Sequence, residues 1–143
     1  MRVLIGSAIF IVGLASARGQ IPSSSAEQMR RYTAELDKLE KIFLTDQRKG
    51  DQFGDHFWRE SKRVADSNGP HILAAVMLRA RKWKDEEYLI FTPLVSLLPR
   101  ARTLAILHAY ERSPRESDSN WAREFMIEFD ADDIQEGVQR FSK

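Results

Sequence analysis

The sequence predicts an all-α fold, a compact helical domain of six or seven helices behind a cleaved signal peptide. Three observations carry that expectation. Apolar residues recur at three- and four-residue spacing along most of the chain, the period of a helix face. No stretch alternates apolar and polar residues as a half-buried strand would; "YLIF" and "FMIEF" are short apolar runs that continue helical stripes. Turn-forming residues, such as Lys49-Gly50-Asp51 and Ser67-Asn68-Gly69-Pro70, punctuate the stripes at helix-length intervals.

The N-terminus reads as an export signal. Arg2 supplies a positive start, Val3 to Ala15 is apolar apart from one Ser, and Ala15-Ser16-Ala17 has the small-x-small pattern of a cleavage site. The apolar run falls short of the roughly 20 residues that a membrane-spanning helix needs, so no stable anchor remains after cleavage. The expected organisation is residues 1–17 as signal peptide, 18–25 as linker and 26–143 as a single helical domain.

Composition narrows the function classes. The chain has 143 residues and no Cys. That removes a disulfide framework, a lipid-modified Cys, thiol catalysis and Cys-based zinc sites. Asn68 and Asn120 lie outside Asn-x-Ser/Thr sequons. An exported chain with neither feature fits a bacterial source, in the periplasm or outside the cell. With 22 basic and 21 acidic residues, loss of Arg2 leaves the two in balance. That balance argues against nucleic acid as a partner, since phosphate binding needs a basic surface.

Taken in order, each element has its own signal. Ser25 and Gln28 form a capping box at the start of the first helix. Met29, Tyr32, Leu36, Leu39 and Phe43 follow at 3-4-3-4 spacing, a seam for a neighbouring helix or for a weak homodimer. In the second helix Phe53, Phe57, Trp58, Ser61, Val64 and Ala65 share one side; Asp55, His56, Arg59, Lys62, Arg63 and Asp66 share the other. The third, "HILAAVMLRARKWK" (71–84), is apolar all round in its first two turns, which places Ile72, Val76 and Leu78 in the core. It then turns one-sided, with Arg79, Arg81, Lys82 and Lys84 mostly outside at the end where cations are favourable. A membrane-active helix would instead carry its cations along one whole face.

Asp85-Glu86-Glu87 suits the first turn of a further helix. Pro93 marks a break, and a central helix runs from Pro99 to about Arg112 with Leu104, Ile106, Leu107, Ala109 and Tyr110. Trp121, Ala122, Phe125, Met126 and Phe129 form the next apolar face, and Ile134, Val138 and Phe141 the last.

Chemistry is sparsely marked. His56, His71 and His108 are never three or four residues apart, so there is no helical metal pair. "DADDIQEG" resembles the start of a calcium loop, but Gln135 stands where that loop needs Gly and Phe141 where it needs Glu. Asp130 as a helix cap, with Asp132 and Asp133 in the first turn, accounts for these acids. No cofactor or metal is expected. From Glu116 to Glu136 there are eight acids and one base, whereas Arg79 to Arg102 holds six bases and three acids. These segments are either ordinary solvated faces or two surfaces turned toward each other across the core.

The reading that follows is an exported binding module with a protein partner and no catalytic residues. Its candidate surface is Glu116, Asp118, Trp121, Glu124, Glu128, Asp132 and Asp133. One alternative is a small helical enzyme using a carboxylate from the Glu124, Glu128 and Asp130 region, which needs a concave site holding Glu124, Glu128 or His108. Another is a membrane-active protein acting through residues 71–84.

Overall fold

A computed structural model of the chain describes residues 21–46, 53–83 and 90–143. The signal peptide, the Lys49-Gly50-Asp51 turn and the helix start at Asp85-Glu86-Glu87 lie outside the described residues.

Among the described residues there are seven α-helices and no strand. They are α1 (Ala26–Asp46), α2 (Asp55–Asn68), α3 (Leu73–Ala80), α4 (Thr92–Leu97), α5 (Arg100–Glu111), α6 (Glu116–Glu128) and α7 (Asp132–Phe141). A short 3₁₀ turn, Pro70–Ile72, leads into α3.

The capping box forms as its residues dictate. Gln28 N donates to Ser25 Oγ at 3.1 Å, and Ser25 N donates to Gln28 Oε1 at 3.0 Å. The α1 seam turns inward: Tyr32, Leu36 and Leu39 are buried, and Met29 and Phe43 flank them against the core. These side chains are enclosed by the chain's own helices. In α2 the buried residues are Phe57, Trp58, Ser61, Val64 and Ala65, the same face that the periodicity selects. Helix α2 ends at Gly69, whose φ of 71° lies in the region glycine tolerates best, and Pro70 then opens the next turn.

Helix α3 is the central element. Leu73, Val76 and Met77 are fully buried with Ile72 just before them, and α1 and α6 both cover it. Three details of the sequence reading need correction here. Leu78 is 46% exposed, because the side of α3 facing away from α1 and α6 reaches solvent after one turn. Arg79 folds back on α1, where it pairs with Asp37 and, at 2.9 Å, with Glu40. Arg81 reaches the other way, to Asp118 on α6. Arg79 and Arg81 are thus ties between helices, while Lys82 stays exposed.

Helices α5 and α6, joined by four residues, make the most extensive pairing. One apolar cluster draws on α1 through α6, and α7 closes it from the α2 and α4 side. The N-cap of α7 is Ala131, not Asp130. Asp130 is exposed, with Oδ1 3.8 Å from Arg100, and Gln135 Nε2 donates to Phe129 O to hold the turn. Asp132 and Asp133 do occupy the first turn of α7.

Candidate functional site

The acidic residues singled out from sequence do not form one surface. Asp118 is buried, at 2% exposure. It sits in the first turn of α6, between exposed Glu116 and Asn120. There it accepts a two-pronged interaction from Arg81: Nε to Oδ1 at 3.0 Å and Nη2 to Oδ2 at 2.9 Å. The geometry is the planar fork that guanidinium and carboxylate favour. Arg115 Nε lies 4.0 Å from the same carboxylate. Hydrogen bonding to Asp118 raises the Arg81 pKa further above its ordinary value, against the opposing effect of burial. Tyr110 lies beside this pair, and burial, reinforced by the Asp118 charge, pushes its phenol up to about 12. Asp118 is therefore a structural residue that joins α6 to the end of α3.

The remaining acids separate by position. Glu116 is exposed at one end of α6. Trp121, Glu124 and Glu128 are half-buried along the helix, and each already interacts with neighbouring groups. Asp132 and Asp133 are exposed on the first turn of α7. Beside this stretch, Ile127 stands 64% exposed on the outer face of α6, the most exposed large apolar residue among the described ones. Glu124 and Asp130 lie one helical turn to either side of it, and Glu128 is adjacent.

Arg81 with Asp118 and Arg100 with Asp130 do connect the basic and acidic segments. The second is long and exposed, and contributes little.

Two clefts shape the surface on either side of α7. The larger, about 190 Å³, lies between α4, the first turn of α5 and α7. Its walls are Val95, Leu97, Leu98, Phe129 and Val138, with Ser96, Arg100, Thr103, Gln135 and Ser142 as its polar residues. The smaller, about 120 Å³, lies where α7 meets the start of α2. Asp55, Asp133, Glu136 and Arg140 rim it, and Arg140 Nη2 is 3.0 Å from Asp55 Oδ2. Its floor is Trp58, stacked on Phe141 at 5.8 Å between ring centres. Gly137 permits that floor: a Cβ there would stand 2.0 Å from the Trp58 ring.

A carboxylate acting as general acid needs an enclosed site that raises its pKa. The acids of the smaller cleft are exposed, and neither cleft has Glu124, Glu128 or His108 in its wall. His108 is exposed, its Nδ1 3.2 Å from Glu111 Oε1. Among the described residues no group of three or more acids and histidines is placed to hold a metal ion.

Sequence reasoning passed over Arg100, Thr103 and Ser96. A signal for Thr103 was present: it falls at i−3, i−4 and i−7 from Ile106, Leu107 and Tyr110, on the buried stripe of α5. A hydroxyl on such a stripe asks for a partner. Compared with known proteins, the chain matches no family model, no curated relative and no solved structure.

Proposed function

We propose that this chain is an exported, non-enzymatic binding module whose α6–α7 surface docks a basic segment of a partner protein. The observation that supports this most is Ile127, a large apolar side chain left in water between Glu124, Glu128 and Asp130. Binding surfaces concentrate their energy in a few apolar or aromatic anchors, and charged groups around an anchor set partner choice and association rate. A partner that suits this arrangement offers an apolar recess edged by Lys or Arg. Export rests on the N-terminal signal pattern alone.

The test is capture of partners from the exported fraction of the producing organism. The purified protein, its Ile127→Asp variant and its Lys82→Ala variant are immobilised in parallel. A protein retained by the parent and by Lys82→Ala, and lost with Ile127→Asp, supports the reading. Identical captures by all three would sink it.

A further inference from the structure

We infer that the partner received by the α6–α7 surface is a second copy of this chain, which seats Ile127 over Ala34 on the outer face of α1. This names the occupant of the surface proposed above and rests on that reading.

Helix α1 leaves one long side open. Tyr32, Leu36 and Leu39 are buried, while Arg30, Ala34, Lys38 and Lys41, on the opposite side, are exposed. On a regular helix these four lie within about 80° of one another. The face is basic. Among the described residues the exposed charges of α1 are Arg30, Arg31, Lys38 and Lys41 against Glu27 and Asp37. Asp37 is already taken up by Arg79 of α3. Lys38 makes one long contact, 3.8 Å to Glu35, and its side chain stays 67% exposed.

Ala34 is the low point of this face. Its neighbours on the helix surface include Arg30, Arg31 and Lys38, one turn before or after it, and all three have far longer side chains. The result is a shallow apolar dip edged by bases. The same side of α1 ends on Leu44, which is 59% exposed and adds apolar area.

That dip is the counterpart of the Ile127 surface. Ile127 projects into solvent at 64% exposure, and exposed Asp130, Asp132 and Asp133 follow it. Arg123, one turn before Ile127, is engaged by Asn120 at 2.6 Å. An apolar knob beside acids and an apolar dip beside bases match in shape and in sign, the complementarity that selects partners and speeds their encounter. The two faces belong to different helices, and α1 packs chiefly on α2 and α3. One copy therefore gives its knob to a second copy and receives a third at its dip. The contact is head-to-tail, and it propagates unless its rotation closes a ring.

Sedimentation velocity of the purified protein over a range of concentrations tests this. The parent should associate reversibly, and added salt should weaken the association, because the charges are exposed to screening. Ile127→Asp and Ala34→Glu should each weaken it about tenfold or more. Both sites are exposed and Glu is a good helix former, so neither change should disturb the fold. The decisive sample is an equimolar mixture of the two variants. Each still carries one intact face, so the mixture should form pairs with about the parent's affinity and stop there, since the faces left over are both damaged. Leu78→Asp, at another exposed apolar site, should associate like the parent. A parent that stays monomeric, Ile127→Asp or Ala34→Glu associating like the parent, an equal loss with Leu78→Asp, or a mixture that stays monomeric would each overturn the inference. A monomeric parent that still captures another protein through Ile127 would remove the second copy as partner and leave the surface standing; with no capture either, both readings fall.

Discussion

At the scale of single residues, stability rests on where a side chain lies more than on what it is. Arg81 and Asp118 illustrate this. The Asp118 side chain is 3% exposed, so removing Arg81 leaves a carboxylate in the interior with only Arg115, 4.0 Å away, to compensate it. Arg81→Ala should cost about 3 kcal/mol in urea unfolding. Lys62→Ala breaks only a surface pair with Asp66 and should cost under about 0.5 kcal/mol. Tyr110 beside the pair adds a pH dependence. Its phenol is raised to about 12 in the folded chain from an ordinary 10.0. Below pH 10 the phenol is neutral in both states. Between about 10 and 12 only the unfolded chain releases the proton, so stability falls across that window and levels off above it. The loss should be roughly 2–3 kcal/mol, and Tyr110→Phe should lack it when unfolding is followed against pH. Leucines on α3 divide in the same way. Leu73→Ala, at a fully buried site, should cost about 2–5 kcal/mol. Leu78→Ala, at a site 46% exposed, should stay within about 1 kcal/mol in the same melts.

At the scale of elements, α7 is seated on α2 by one close approach and one ion pair. Its apolar stripe of Ile134, Val138 and Phe141 includes Gly137, and the missing side chain lets the helix backbone settle against Trp58. The Arg140–Asp55 pair lies at the rim of the same junction. Gly137→Ala improves intrinsic helix propensity by about 1 kcal/mol. The new methyl cannot fit at 2.0 Å from the indole, and overpacking of this kind costs about 1–3 kcal/mol. The expected net result is a lower melting temperature with a changed Trp emission maximum, as Trp58 leaves its stack on Phe141. A variant with raised stability and unchanged emission would show that α7 is not seated on Trp58. Helix α3 is held by charge as well as by its core: Arg79 ties it to α1 and Arg81 ties it to α6, one at each flank of its last turn.

At the scale of the whole molecule, arginines bind helix to helix. Arg63 joins α2 to Glu35 on α1 at 3.0 Å, and Arg140 joins α7 to the start of α2. Much of the chain's balanced charge is thus used within the fold, and the exposed acids of α6 and α7 stand out against it. No helix among the described residues is long and apolar enough to cross a membrane. The export proposal belongs to this scale too, since it decides where the fold operates. N-terminal sequencing of protein from the producing organism should begin at Arg18; a cytosolic chain beginning at Met1 would refute it.

The all-helical class, the capping box at Ser25, the buried face of α2 and the stop at Gly69 were legible in the sequence. Each depends on neighbours within a turn or two, and helical periodicity expresses those local relations directly. What the sequence could not decide was which helix lies against which. Leu78 and Val76 belong to the same two apolar turns, yet Val76 is fully buried and Leu78 is 46% exposed. Asp118 reads as one more surface acid until Arg81, 37 residues earlier, is brought beside it. Burial and charge pairing depend on contacts between residues far apart in the chain, and those contacts exist only once the helices have packed.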